Sequence, residues 1–220
     1  MNVFDIIGPI MVGPSSSHTA GAVRIGRIAR AVCGKQPVDA KIELFGSFAK
    51  TYRGHGTDKA IIAGLLGMMP DDERIRDSLG ISVKAGMGYQ FIQANKKDVH
   101  PNTALITMRD QEGKESVVQG SSVGGGRIVV NRINDINVEF DGDFYTFLVP
   151  HHDSPGVIAT VTKLLAEHGL NIAKMNMYRS HRGGEAMMVI ETDQPATQEM
   201  ADSIEAIKNV RKAVLIEPIY

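Results

Sequence analysis

The sequence predicts an α+β chain in two parts, and three observations carry that prediction. Residues 144–220 hold short apolar runs and stretches of helical apolar spacing in close succession. The residues before them show both signals at wider intervals, with no internal repeat. Between the two, Asn134 to Asp143 is rich in Asp and Asn and reads as the boundary, so the domains are placed at 1–143 and 144–220.

The second part is the clearer. Tyr145 to Val149 is a short apolar strand, closed by Pro150 and the turn residues Asp153-Ser154-Pro155-Gly156. Val157, Val161, Leu164 and Leu165 repeat at helical spacing, and Gly169 stops that helix. A strand from Ala173 to Tyr178 turns at Arg182-Gly183-Gly184 and returns through Met187 to Glu191. A helix over Thr197 to Ile207 and a strand over Val210 to Ile216 complete the order βαββαβ. Two helices on one face of a four-stranded antiparallel sheet is the ferredoxin-like arrangement that this order predicts.

In the first part, Ser16 or Ser17 caps a helix running to Val32, with Ala22, Ile25, Ala29 and Val32 inward and Arg24, Arg27 and Arg30 mostly outward. Lys41 to Phe45 is a strand, and Gly54 to Asp58 is a glycine-flexed turn into an apolar helix ending near Met68. Strands are expected at Ile81 to Met87, Thr103 to Met108 and Ser116 to Gln119, the last two joined by a turn within Asp110 to Lys114. Gly124-Gly125-Gly126 breaks the chain before Ile128 to Asn131.

Composition narrows the function. Lys and Arg number 24 against 25 Asp and Glu, a net charge of -1 that leaves no large counterion-release term for nucleic acid. The longest apolar run, Ala60 to Met69, is too short to span a bilayer. Asp5 interrupts the N-terminal apolar stretch, which argues against a signal peptide, and a cytoplasmic location is the expectation. The single cysteine, Cys33, permits no internal disulfide, and it cannot supply the three or four thiolates of an iron–sulfur cluster. A metal of that kind would have to be held mainly by another chain.

Three constellations could carry chemistry. Ser15-Ser16-Ser17-His18-Thr19 puts hydroxyls and an imidazole at a helix start, where unpaired N–H groups attract an anion; a serine cap with a solvated histidine has the same pattern. Gly54-His55-Gly56-Thr57-Asp58 sets a second histidine just before a helix, so that two helix starts could converge, though a simple turn uses the same residues. His151-His152-Asp153-Ser154-Pro155-Gly156, with Asn171 after the next helix, could hold a small amino acid or serve only as a turn capped by Asp153. His100-Pro101-Asn102-Thr103 and Ser121-Ser122-Val123-Gly124-Gly125-Gly126 are weaker, the second reading best as a loop or bulge.

Taken in order, Ser15 to Thr19, Gly54 to Asp58, His100 to Thr103 and Ser122 to Gly126 resemble the beta chain of bacterial iron–sulfur L-serine dehydratase. Residues 144–220 resemble its ACT domain, so the likeness covers essentially the whole chain. It implies an N-terminal domain similar to the allosteric substrate-binding domain of some D-3-phosphoglycerate dehydrogenases. It also implies an ammonia-lyase without pyridoxal phosphate, converting L-serine to pyruvate and ammonia with a 4Fe–4S cluster held by a partner alpha chain and no metal in this chain. Removing the α-hydrogen of serine requires a base of suitable pKa, for which histidine is the common choice near neutral pH. The resemblance therefore makes His18 and His55 catalytic, one as base and one orienting substrate or assisting departure of the hydroxyl. Ser15, Ser16, Ser17, Thr19, Gly56, Thr57 and Asn102 become substrate-binding, and His151, Asp153, Gly156 and Asn171 an effector site of the ACT domain. Two departures stand out: Gly21-Ala22 where many single-chain relatives read Gly-Pro, and Asp153 where serine-binding ACT domains carry Asn. The implied partners are the alpha chain in a heterodimer, L-serine, and a second copy through the ACT domain, with neither nucleic acid nor membrane. A non-catalytic sensor of serine or another amino acid is the alternative, and an assembly module whose ACT sheets dimerise is a third.

Overall fold

The computed structural model describes residues 10–95 and 98–219, which divide into two units between Asn134 and Asp135. Asp5 lies outside the described residues. In the N-terminal unit, α1 (Gly21–Cys33) buries Ala22, Ile25, Ala29 and Val32, the stripe that its spacing dictates. It packs along α3 (Thr57–Leu65), whose apolar residues are buried on all sides. The two backbones meet directly: a β-carbon on Gly64 would lie 2.2 Å from the Val23 carbonyl oxygen, and one on Gly26 would lie 2.4 Å from that of Ile61.

The arginines of α1 correct an expectation. Periodicity placed Arg24, Arg27 and Arg30 mostly outward, yet Arg24 is buried and its Nη1 donates to Gly126 O at 3.1 Å. Arg27 donates to Gly67 O and Arg30 to Leu65 O, so both bind carbonyls at the C-terminal end of α3, where the helix dipole favours a cation. The long aliphatic stems cover apolar surface while the heads satisfy carbonyls, which periodicity by charge type cannot show.

The sheet of this unit runs β2-β1-β3-β4-β5, with β1 at Asp39–Leu44, β2 at Gly88–Gln93, β3 at Thr103–Arg109, β4 at Glu115–Gly124 and β5 at Arg127–Ile133. β1 and β2 are parallel, and the remaining neighbours are antiparallel. The β3–β4 turn falls within Asp110 to Lys114 as expected, closed by Asp110 N donating to Lys114 O at 3.1 Å. α1 lies over β4, where Ile25 seats on Gly120.

Two elements differ from expectation. Ile81 to Met87 is not a strand: α4 (Ser78–Lys84) occupies most of it, and β2 follows. The residues facing inward there are Ser78 and Ser82, both 0% exposed, while Val83 is 66% exposed. Of the apolar residues that suggested a strand, Val83 faces out and Met87, beyond the helix end, is the buried one. A helix α2 (Gly46–His55) stands where only a turn was read, burying Phe48, Ala49 and Tyr52 at helical spacing.

The C-terminal unit has the expected order. β6 (Ile136–Phe140) precedes β7 (Tyr145–His152), α5 (Val157–Glu167), β8 (Ile172–Arg179), β9 (Glu185–Thr192), α6 (Gln198–Glu205) and β10 (Val214–Ile216). The four-stranded sheet runs β10-β7-β9-β8 with every pairing antiparallel. Alternate residues of β7 and β9, among them Phe147, Val149, Met188 and Ile190, join Val161, Leu165, Ala201 and Ile204 of the two helices in one core. The last strand is shorter than expected, and Val210 forms only an isolated bridge to His151.

Replacing Gly64 by Ala forces α1 and α3 apart, and overpacking of this kind costs about 2–3 kcal/mol. Urea unfolding of G64A measures it, and a midpoint equal to that of the parent chain contradicts the backbone contact.

Candidate active site

Ser15 to Thr19 opens α1 with an unusual turn. The cap is Ser15 rather than Ser16 or Ser17, its Oγ accepting from His18 N at 3.3 Å. Ser16–Ala20 then form a π-helical turn that widens the backbone before α1 proper begins at Gly21. Ala22 suits this uninterrupted start. The hydroxyls of Ser16 and Ser17 make no hydrogen bond among the described residues, and both side chains are half-buried.

His55 is the last residue of α2, and Gly56 joins that helix to α3 with φ +70, a conformation that costs glycine nothing. This joint brings the two histidines together. Their ring centroids are 4.7 Å apart at an interplanar angle of 39°, and Phe48 meets His18 edge-on at 5.2 Å. His55 is exposed and its ring nitrogens have no hydrogen-bond partner among the described residues. His18 is half-buried, with Thr51 Oγ1 at 3.2 Å and Ser47 Oγ at 3.4 Å from Nε2. Burial first, and the neighbouring His55 second, push the His18 ring below the usual imidazole range. An imidazole can give or take a proton at either ring nitrogen, so two adjacent rings can hand one between them.

The other motifs gather at the same end of the unit. Phe48 N donates to Pro101 O at 3.2 Å, fastening the start of α2 to His100-Pro101-Asn102. Ser122 N donates to Asn102 O at 2.9 Å, and the Ser122 side chain rests on the backbone of Gly21. Gly124-Gly125-Gly126 turns β4 into β5 after a bulge near Ser122. Thr19, Thr57, Asn102 and Ser122 each bury a side-chain oxygen that has no hydrogen-bond partner among the described residues. Unpaired buried atoms of this kind are costly, and these four lie in the motifs gathered at this end of the unit. Thr19 is itself turned inward, its side chain against Gly13, and Thr57 is fully buried.

Sequence reasoning missed Ser47, Thr51 and Phe48, the α2 residues that touch His18. Phe45, Phe48, Ala49 and Tyr52 carry the helical spacing that exposes the omission.

The residues assigned to an ACT effector site do not meet within one chain. His151 is buried, with its Nδ1 2.8 Å from Val149 O. Asp153 accepts from Gly183 N at 3.0 Å and Arg179 Nη1 at 3.2 Å, and the Gly183 N–H first, then Arg179, holds its carboxyl below the usual range. Gly156 is the N-terminal cap of α5. Asn171 sits at the opposite end of the sheet: it precedes Ile172, on one rung with Thr192 and Tyr145, whereas His151 lies six residues along β7, roughly 20 Å away. There Asn171 Nδ2 donates to Asp193 at 2.6 Å.

Fold and site together define an α+β chain with a histidine pair, one at the turn that opens α1 and one at the α2–α3 joint, in its first unit and an ACT domain in its second. Residues 145–209 match the ACT domain family, and residues 2–82 match the serine dehydratase beta chain family. The chain belongs to the L-serine dehydratase beta-chain family. It is 44% identical to the probable L-serine dehydratase beta chain of Bacillus subtilis, over 95% of this chain and 94% of that one. It is 38% identical to the L-serine dehydratase beta chain of Peptoniphilus asaccharolyticus, over 98% of each. A D-3-phosphoglycerate dehydrogenase of Bacillus subtilis is 24% identical across 84% of this chain, which spans 35% of it. No helix among the described residues is long and apolar enough to cross a membrane.

The sign of the His18 shift gives a pH dependence. Its folded value lies below the unfolded one, so its contribution to stability is present above the usual imidazole range and is lost as pH falls through that range. Replacing His55 by Asn removes the second cause and leaves burial, so the His18 midpoint in an NMR titration rises part of the way to the ordinary value. An unmoved midpoint contradicts the coupling of the rings.

Proposed function

We propose that this chain is the beta subunit of an L-serine ammonia-lyase, converting L-serine to pyruvate and ammonia together with a cluster-bearing alpha chain. The observation that carries the reading is the His18–His55 ring pair at the end where four polar motifs converge. The full-length likeness to two L-serine dehydratase beta chains supports the substrate and the need for a second chain. A 4Fe–4S cluster does not fit the residues of this chain: its lone thiol, Cys33, is buried, and the described residues bring no three of His, Cys, Asp and Glu into a metal-holding group. Such a cluster is assigned to the alpha chain.

The residues present have definable roles. His55, exposed and with both nitrogens open, is the base that takes the α-hydrogen of serine. His18, set back behind it, orients the substrate or passes a proton to the departing hydroxyl. Ser16 and Ser17 donate hydrogen bonds to the substrate's polar groups without competing charge, and the Asn102 Oδ1, which has no partner among the described residues, accepts one. Loss of the α-hydrogen and the β-hydroxyl as water leaves an enamine, which tautomerises to an imine and hydrolyses to pyruvate and ammonia. The ACT domain would associate with a second copy through its sheet edge and respond to an amino acid.

The second reading, a sensor without catalytic groups, draws on the dehydrogenase similarity, which spans both units in a protein named for another reaction. Anaerobic mixing with a cluster-loaded alpha chain, followed by a pyruvate assay, separates the two. The lyase reading predicts turnover only in the mixture and a loss of 10²-fold or more in His55→Asn, about the worth of a positioned base. Full turnover in both His18→Asn and His55→Asn removes the pair from the chemistry. Heat on titrating L-serine into this chain alone, with no turnover in the mixture, favours the sensor.

A further inference from the structure

The hydroxyls around His18 have their protons committed in a way that selects one form of the ring. Thr51 Oγ1 donates to the carbonyl of Ser47, one turn earlier in α2, at 2.8 Å. Its oxygen therefore offers the imidazole only lone pairs, and the 3.2 Å approach to His18 Nε2 is a hydrogen bond only when Nε2 carries hydrogen. Ser47 Oγ, 3.4 Å from the same nitrogen, can accept alongside it. At the other side of the ring, Ser15 Oγ accepts from the His18 backbone N–H at 3.3 Å and keeps its own proton for Nδ1, 3.4 Å away. The Thr51 side demands hydrogen on Nε2, and the Ser15 hydroxyl can satisfy the lone pair that this leaves on Nδ1. The opposite tautomer would set the Nε2 lone pair against those of Thr51, in a half-buried site where water compensates little.

We infer that Thr51 is a positioning residue, holding His18 in its Nε2-protonated neutral form so that Nδ1, beside Ser15, is the nitrogen open to a proton. Phe48, edge-on to the ring at 5.2 Å, hinders the half-turn that would exchange the two nitrogens. The division of labour follows: His55 has both nitrogens open, whereas His18 exchanges a proton at one defined atom facing the serine motif. The catalytic consequence rests on the lyase reading, but the tautomer is a property of this chain alone.

Long-range proton–nitrogen NMR of the full chain, above the titration range of His18, tests it directly, with His18→Gln assigning the signals. The expected spectrum shows a protonated Nε2 and an unprotonated Nδ1. Thr51→Val shifts the ring toward a mixture of tautomers, as does Thr51→Ala should the valine variant unfold, while Thr51→Ser keeps the parent pattern. In the reconstituted pair, Thr51→Val lowers kcat about tenfold at unchanged KM, the usual effect of losing an outer hydrogen-bond partner, and Thr51→Ser restores it. A parent spectrum with hydrogen on Nδ1, or one that Thr51 variants leave unchanged, overturns the assignment. A Thr51-dependent spectrum with unaltered kcat overturns its catalytic half. The expected spectrum together with no pyruvate from the parent pair upholds the positioning role and sinks the lyase reading.

Discussion

The close contact of α1 with α3 at Gly26 and Gly64 is the constraint on which the site depends. His18 lies eight residues before Gly26, in the π-helical turn that opens α1, and His55 nine before Gly64, at the joint that opens α3. With backbones touching there, α1 cannot slide along α3 without shifting His18 against the α2–α3 joint that carries His55. The arginines of α1 reinforce the register, since Arg27 and Arg30 bind carbonyls at the far end of α3 and Arg24 ties α1 to the glycine turn after β4. A structural contact in the middle of two helices thereby sets the geometry of the polar groups at their tips.

Around that contact the chain arranges chemistry by level of exposure. His55 stands in the open, His18 behind it, and the hydroxyls of α2 behind His18. In the lyase reading proposed above that is the order of a base, a partner ring and its support, and it arises because α2 ends at His55 and carries Thr51 and Ser47 one and two turns earlier. The buried oxygens of Thr19, Thr57, Asn102 and Ser122 lie in elements that the same packing draws to one end.

Much of this was legible in the sequence, and unevenly so. The C-terminal order of elements could be read because apolar spacing changes sharply between strand and helix there, as at Val149 and Val157. The convergence of two helix starts carrying His18 and His55 could also be read as an option. The role of α2 could not, because Gly46 and Gly54 at its ends look like loop residues and its buried stripe is only Phe48, Ala49 and Tyr52. The strand expected at Ile81 to Met87 failed since within α4 the buried residues are Ser78 and Ser82 while Val83 faces out. The arginines of α1 misled for a related reason: charge type reports on solvation, and here carbonyls take the place of water. At the ACT turn the sequence raised Asp153 as an anomaly, and the structure gives it work within the fold, bridging to Gly183 and Arg179.

The account stands or falls on where the imidazole pair points when the second chain is bound. A structure of this chain in complex with its cluster-loaded partner measures that directly. It is predicted to show both rings bordering the cavity that contains the cluster, His55 foremost and Thr51 behind His18. Rings turned into packed protein, remote from that cavity, would contradict it and leave the N-terminal unit a ligand-sensing role.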